Sequence, residues 1–382
     1  MSTPSKYKML SSKNVNFDTI VDVEECRYLS HDDWVMCNSR TNLQKGDILL
    51  TTVATLGRSC VVETTEQFCF QRSVTILTTL IFNKYLKYVF DSDFYQEIMS
   101  DGAKGTAQKG FYLNQVEQSF IPVPPLAEQK QIVKEIDNWL SILDFVEKEK
   151  NVLMDAISAT KSKTLDLAIH GKLVPQDPSD EPASELLKRI NPKAVISCDN
   201  PQYGKIPSSW VITTVGEVFE INPKTHSKDD TEAAFVPMTC VSDGYCNTFE
   251  YECRKWGDIK KGFVHFQDND VAVAKISPCL ENRKSVVFHN LPNGIGAGTT
   301  ELNVFRCKEI LPDYSLLYFK SQMFIGSCAG TYNGVVGQQR VAKSFIQELP
   351  IGVPPYNEQL RIVSKVNDIF SQLEMIEKSL QA

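Results

Sequence analysis

The sequence predicts a mixed α/β protein that is built twice, as two globular domains and two long helices pairing as an antiparallel coiled coil with pseudo-twofold symmetry. Residues 123–133 recur as 353–363, so Pro124 returns as Pro354 and the offset between them is constant along the segment. A Pro-Pro pair opens a long helical pattern in each copy, and short β-rich runs precede each pair. The 382 residues suffice for two or three domains.

These patterns divide the chain into five segments. We expect a first domain over 1–124, a central helix over 125–171, a connector over 172–202, a second domain over 203–354 and a C-terminal helix over 355–382. Gly171 is typical of a residue that ends a helix. Three prolines interrupt the first part of the connector, and a short helix is predicted over 183–190.

The first domain is predicted to contain strands over 46–53, 60–62 and 73–77, because these runs are rich in β-branched and apolar residues. A helix rich in Tyr and Phe follows over 83–94. A Gly-rich loop over 105–111 then carries a polar, basic tip.

The second domain repeats this order, with strands predicted over 269–274, 285–288 and 301–305 and a helix over 313–324. Its Gly-rich loop spans 334–340, and Gln338 follows Gln108 of the first loop at the same offset that relates Pro354 to Pro124. The glycines of 294–299 lack the third glycine of a dinucleotide-binding motif, so this segment is predicted to be a turn between strands.

The two domains begin differently. The second opens with Ile-Pro-Ser-Ser-Trp over 206–210, whereas Tyr7 corresponds to about Phe235 and nothing in the first domain matches the opening. The first domain is therefore expected to be truncated at its N-terminus.

Apolar residues alternate at spacings of four and three along both helices, which is typical of a coiled-coil seam. The alternative is two separate amphipathic helices that each pack on their own domain. The predicted seam consists of Ile132, Ile136, Trp139, Leu143, Val146, Leu153, Ile157, Ile362, Val366, Ile369, Leu373 and Ile376.

The motifs and the spacing of reactive residues argue against an enzyme. No G-x-x-x-x-G-K-[ST] motif is present, the five histidines are scattered, and none of the 11 cysteines forms a C-x-x-C pair. We therefore expect no catalytic residue, no metal site and no cofactor in this chain. No apolar run reaches the ~18 residues of a membrane span, and the N-terminus lacks a signal-peptide pattern, which predicts no membrane association and a cytoplasmic location.

The net charge of −7 means that DNA binding would depend on local basic loops or on a partner. Arg, Lys, Gln and Asn side chains on loops can read base edges, although any one of them could be an ordinary solvated surface residue. The candidates are Arg58, Gln108, Lys109, Lys224, Lys275, Arg283, Lys284, Gln338, Gln339 and Arg340.

The repeated V-P-P-[LY]-[AN]-E-Q-x-x-I-V helix start, the opening around Trp210 and the strand at 46–49 resemble one family. They are similar to the DNA-specificity subunit of type I restriction–modification systems, as is the end of the central helix over 164–176. The resemblance covers nearly the whole chain.

The resemblance implies a non-catalytic subunit in which two target-recognition domains each read half of a bipartite, gapped site on double-stranded DNA. It also implies that the paired helices set the gap and dock two modification (methyltransferase) subunits, which bring restriction subunits with ATP-dependent translocase and nuclease activity. S-adenosylmethionine, ATP and magnesium would belong to these partners. Two alternatives stay open: a truncated or silent recombination-cassette protein that reads one half-site only, and a coiled-coil scaffold that does not bind DNA.

Overall fold

The computed structural model describes residues 5–64, 66–105, 109–197, 200–331 and 339–381. Its contacts divide the chain into two compact units, Met1–Lys148 and Glu149–Ala382. Each unit is mixed α/β, as the sequence predicts. Among the described residues, no helix combines the length and the apolar character that crossing a membrane requires.

The first unit contains two small sheets. In one, the order is β2-β1-β5, with β1 and β5 parallel, and in the other β3 pairs antiparallel with both β4 and β6. The strands are β1 (Lys8–Leu10), β2 (Arg27–Tyr28), β3 (Ile48–Thr51), β4 (Ser59–Val61), β5 (Phe68–Phe70) and β6 (Val74–Leu77).

Successive side chains of β3 point to opposite faces of its sheet, so β3 contributes to a hydrophobic core on each face. Ile48 and Leu50 pack with the helices, whereas Leu49 packs with Leu10 and Phe68 on the other face. The helices are α1 (His31–Thr41), α2 (Asn83–Asp91), α3 (Asp93–Gly102), α4 (Leu113–Gln118) and the long α5 (Leu126–Ile169), and a 3-10 turn spans Ser12–Asn14.

The second unit contains two four-stranded sheets, ordered β10-β9-β14-β11 and β13-β12-β15-β8, and the antiparallel pair β16-β7. Its strands are β7 (Val211–Thr214), β8 (Phe219–Ile221), β9 (Glu232–Val236), β10 (Glu252–Lys255), β11 (Val264–Gln267), β12 (Asp270–Ala274), β13 (Ser285–Val287), β14 (Ile295–Gly298), β15 (Leu302–Cys307) and β16 (Pro350–Val353).

The largest core of the second unit lies between its β12–β15 sheet and its helices. Val271, Val273 and Phe305 face this core, and Ala272 and Val304 face a second one. The helices are α6 (Ala183–Ile190), α7 (Val215–Val218), α8 (Trp256–Ile259), α9 (Pro312–Lys320), α10 (Gln322–Cys328), α11 (Lys343–Glu348) and α12 (Tyr356–Gln381), with 3-10 turns at Met238–Cys240 and Pro292–Gly294.

Three of the predicted elements differ from the structure. The helices expected over 83–94 and 313–324 are each split by a serine with extended backbone, Ser92 and Ser321. The segment 294–299 is mainly strand β14 rather than a turn. Its glycines serve packing, since a Cβ on Gly296 would lie 2.1 Å from the Phe266 ring and 2.7 Å from the Ala234 carbonyl oxygen.

The opening of the second unit supplies two strands that have no counterpart in the described part of the first. β7 pairs with β16, and β8 pairs with β15. In the first unit, residues 120–123 occupy the chain position of β16 but form no strand, and Phe120 is 89% exposed. At a pair of equivalent positions, Val123 is 57% exposed, whereas Val353 of β16 is fully buried.

The end of α5 runs antiparallel to α12 within the second unit. Lys161 Nζ lies 2.8 Å from Glu377 Oε2 near the end of α12, whereas Gln176, beyond the end of α5, bonds Glu358 near the start of α12. Gly171 follows α5 with a φ of 66°, and a Cβ there would lie 2.6 Å from Pro207. Glycine is therefore required at this turn.

The predicted seam is buried only in part. Ile157, Ile362 and Val366 are buried, whereas Ile132, Ile136, Ile369 and Leu373 are half-buried. Trp139, Leu143, Val146, Leu153 and Ile376 are exposed. Within the second unit, the fully buried part of the predicted seam therefore consists of Ile157, Ile362 and Val366.

Candidate nucleic-acid interface

In each unit, the segment that follows a central strand forms backbone hydrogen bonds with the end of the Gly-rich loop. In the second unit, Val341 N donates to Lys275 O at 3.0 Å and Ser277 N donates to Gln339 O at 3.0 Å. In the first, Phe111 N donates to Thr52 O at 2.8 Å and Ala54 N donates to Lys109 O at 3.3 Å. The two units thus contain the same junction, to which Lys275 and Thr52 contribute equivalent positions.

Beside this junction, the second unit has a cleft of about 390 Å³. We call it the second cleft, and it is lined by Asn222, Lys275, Asn303, Arg340, Val341, Ala342 and Lys343. Three basic side chains therefore converge there. Sequence reasoning found Lys275 and Arg340 but missed Asn222, Asn303 and Lys343.

Asn303 supplies the second cleft with an unused donor. Its side chain is 2% exposed, and Nδ2 has no hydrogen-bond partner among the described residues. Asn222 fixes this orientation, because its Oδ1 accepts from Val304 N at 2.8 Å and its Nδ2 donates to Asn303 Oδ1 at 3.2 Å. A buried donor without a partner costs about 1–3 kcal/mol, so the cleft is suited to a ligand that accepts a hydrogen bond.

Two of the basic side chains at this cleft already have partners. Arg340 forms hydrogen bonds with both carboxylate oxygens of Glu301 at 2.8 Å, and this guanidinium lowers the pKa of Glu301 below its ordinary value. Lys343 Nζ donates to Ile221 O at 3.1 Å. The charges of Lys275, Arg340 and Lys343 exceed that of Glu301, so the surroundings of the cleft favour an anion.

The first unit has a cleft at the same junction, with different chemistry. Its volume is about 870 Å³, and its lining includes Thr52, Thr75, Leu113 and, at an exposed position, Arg72. Thr52 and Thr75 bond each other, with their hydroxyl oxygens 3.1 Å apart. We call this the first cleft.

Strand register relates the linings of the two clefts. Thr51 pairs with Val74 as Ala274 pairs with Leu302, so Thr75 occupies the strand position of Asn303. Leu113, in turn, corresponds to Lys343 at the constant offset of the repeat. Two equivalent positions therefore differ in chemistry. The first unit has the hydroxyl of Thr75 and the apolar Leu113, whereas the second has the amide of Asn303 and the basic Lys343.

Two other predicted DNA contacts are engaged within the protein. Arg283, at a φ of 58°, donates to Lys320 O at 3.1 Å and to Gln322 Oε1 at 3.0 Å. Lys284 Nζ donates to Val241 O at 2.8 Å. These bonds hold the segment between β12 and β13, which is a structural role that loop composition alone did not reveal.

The remaining candidates are distributed over both units. Lys109 and Lys224 are exposed, and Arg58 and Gln339 are half-buried. Gln108 and Gln338 lie outside the described residues. A DNA contact by any candidate stays a prediction.

Asn303 could have been noticed in the sequence. It is the polar residue inside the apolar run Leu302–Phe305, and an amide in a buried strand requires hydrogen-bond partners. Its neighbours Asn222 and Lys343 carry no comparable signal, because only the tertiary fold brings them to the cleft.

Two mixed α/β units with equivalent junctions and different clefts define a duplicated binding protein. The chain belongs to the family of type I restriction modification DNA specificity domains, whose profile matches residues 11–154 and 207–382.

Curated relatives carry the same description. The EcoEI type I restriction enzyme specificity subunit of Escherichia coli is 41% identical over 276 residues, which cover 65% of this chain and 46% of the relative. The EcoAI subunit of the same organism is 38% identical over 277 residues, covering 66% and 47%. The chain thus spans about half the length of these relatives.

Solved structures share the fold. The HsdS subunit from Thermoanaerobacter tengcongensis aligns with a TM-score of 0.54 at 15% identity, covering 98% of this chain and 85% of that one. A chain from a study of complex assembly and conformational transition of the type I R-M system aligns with a TM-score of 0.58 at 16% identity, covering 89% and 77%.

Proposed function

We propose that this chain is the non-catalytic DNA-reading subunit of a type I restriction–modification complex, and that its two units each recognise one half of a bipartite, gapped site. The observation that carries the proposal is the equivalent junction with a differently lined cleft in each unit. A shared scaffold with two different surfaces suits the recognition of two different half-sites.

Partner subunits would dock along α5. Its middle part exposes large apolar side chains, including Trp139 at 66%, Leu143 at 61% and Phe145 at 61%. Contiguous exposed apolar surface of this kind marks an interaction site. We assign it to two modification subunits, which bring S-adenosylmethionine, and through them to restriction subunits that use ATP and magnesium.

Partner docking would also explain how a chain with a net charge of −7 binds DNA. Neutralisation of phosphates supplies much of the affinity for DNA, and this contribution can come from a partner that encloses the duplex. The specificity subunit would then need only local contacts, such as those at the two junctions.

A second candidate function is a recombination-cassette protein that reads one half-site only. The observation that favours it is that residues 120–123, at the chain position of β16, form no strand in the first unit. The family match disfavours the third possibility, a scaffold that does not bind DNA.

The test is adenine-methylation mapping by long-read sequencing in cells that express this chain with a modification subunit, compared with cells that lack the chain. The proposal predicts a new bipartite motif that depends on the chain. A motif with one defined half would support the cassette function instead. No new methylation in the presence of a stable complex would contradict both.

A further inference from the structure

We propose that the second cleft binds a backbone phosphate of DNA, with Lys275 supplying the charge and Asn303 Nδ2 a hydrogen bond. The inference rests on the proposed function and names a contact through which the second unit would position itself on the duplex. Contacts to phosphate fix the register and orientation of a protein on DNA without reading its sequence.

The hydrogen-bonding pattern selects an acceptor ligand. Asn303 Oδ1 already accepts from Asn222 Nδ2, whereas the NH₂ group of Asn303 has no partner among the described residues. Asparagine reads adenine by donating and accepting at the same time, and the bond from Asn222 competes for the accepting oxygen of Asn303. A phosphate oxygen, which only accepts, matches the unpartnered NH₂ group.

The basic residues of the second cleft also favour a phosphate ligand. Lys275 lies next to the junction, and its ammonium is a point charge on a flexible stem, which suits phosphate better than the bidentate reading of a base. Arg340 is held by Glu301 and Lys343 by the Ile221 carbonyl, so Lys275 rather than these two side chains makes the charged contact with this phosphate.

The first cleft lacks this combination. Thr52 and Thr75, which replace Lys275 and Asn303, share one hydrogen bond, and the apolar Leu113 replaces Lys343. The first cleft therefore provides a matched comparison within the same chain, and Asn303→Thr introduces a residue that the scaffold already accommodates at this position.

The test measures binding of this chain, assembled with a modification subunit, to mixed-sequence DNA duplexes by fluorescence anisotropy over a range of KCl concentrations. Loss of one phosphate contact lowers the slope of log K against log [salt] by about one. We expect this change for Lys275→Gln and not for Lys275→Arg, which keeps the charge. Lys308→Gln removes an exposed lysine of the same unit and serves as the control.

Asn303→Thr provides a second, charge-neutral variant. We expect about tenfold weaker binding, equal on unrelated duplexes, because a hydrogen bond to a charged group is worth roughly that factor. Thermal unfolding of each variant would show that the fold is retained.

Three outcomes would overturn the inference. They are an unchanged slope for Lys275→Gln, an equal change for Lys308→Gln, and a loss for Asn303→Thr that is restricted to particular sequences, which would indicate base reading. If the wild-type protein and its assembled complex bound no DNA, the proposed function would fail as well. Normal wild-type binding with unaffected variants would reject the phosphate contact alone.

Discussion

Gln129 and Gln359, which occupy equivalent positions of the repeat, make the same pair of hydrogen bonds in the two units. Gln359 accepts from Leu311 N at 2.8 Å and donates to Pro354 O at 3.1 Å. Gln129 accepts from Phe82 N at 2.9 Å and donates to Pro124 O at 2.8 Å. Each glutamine joins the start of a long helix, the Pro-Pro segment before it and a helix of the domain, so the repeat encodes a structural clamp.

Replacing Gln359 by Ala should destabilise the second unit by about 2–4 kcal/mol, because two backbone groups lose their partner in a buried position. Denaturant unfolding would measure the loss. Gln372→Ala, on an exposed position of α12, should have little effect. Equal stability of the two variants would show that the clamp contributes nothing.

Trp210 explains a difference between the units. Its Nε1 donates to Glu358 Oε1 at 3.0 Å, and Glu358 is fully buried. Burial raises the pKa of Glu358. Glu128, at the equivalent position of the first unit, is exposed. The opening that contains Trp210 therefore completes the helix start in the second unit.

Fusing a second copy of residues 203–234 ahead of Tyr7 should stabilise the first unit, because the insert supplies strands equivalent to β7 and β8. We expect a higher unfolding midpoint for the first unit and reduced proteolysis near the exposed Phe120. An insert of the same composition in scrambled order is the control. If both inserts behaved alike, strand pairing would not be the cause.

The stability of the second unit should increase with pH in the alkaline range. Burial lowers the pKa of Lys320 to about 7, although its Nζ donates to Gly244 O and Arg283 O at 2.8 and 3.0 Å. In the unfolded chain the pKa of lysine is about 10.4. Between these values the unfolded state binds more protons, so the free energy of unfolding rises with pH.

Chemical denaturation at pH 6.5 and pH 9 would measure this rise, which Lys320→Gln should reduce. Lys308→Gln, which removes an exposed lysine of the same unit, should leave it unchanged. An equal pH dependence in wild type and Lys320→Gln would show that another group is responsible.

A heptad inserted into α5 between Lys148 and Glu149 should lengthen the gap between half-sites. Seven helical residues add about 10 Å, or roughly 3 base pairs. The insertion site precedes Lys161, where α5 contacts Glu377 of α12. Methylation mapping should show unchanged bases with a longer gap. An unchanged gap would contradict a ruler role for the helix.

Local patterns predicted most of the fold, since Pro-Pro pairs and Gly171 mark the helix ends and β-rich runs mark the strands. The breaks at Ser92 and Ser321 were missed because the apolar pattern continues through them. Seam periodicity shows that a helix has an apolar face, but not how far its partner extends. The clefts require tertiary structure, because Asn222, Lys275 and Asn303 come from separate strand ends.

The most direct test of the account is methylation mapping of Gln339→Ala/Arg340→Ala in cells that also contain the modification subunit. Gln339 belongs to the junction of the second unit through its carbonyl oxygen, and Arg340 pairs with Ile276 there and lines the second cleft. If each unit reads one half-site, one half of the bipartite motif becomes degenerate or is lost, while the other half and the gap are retained. Equal loss at both halves, in a protein that remains folded and assembled, would contradict the division of recognition between the two units.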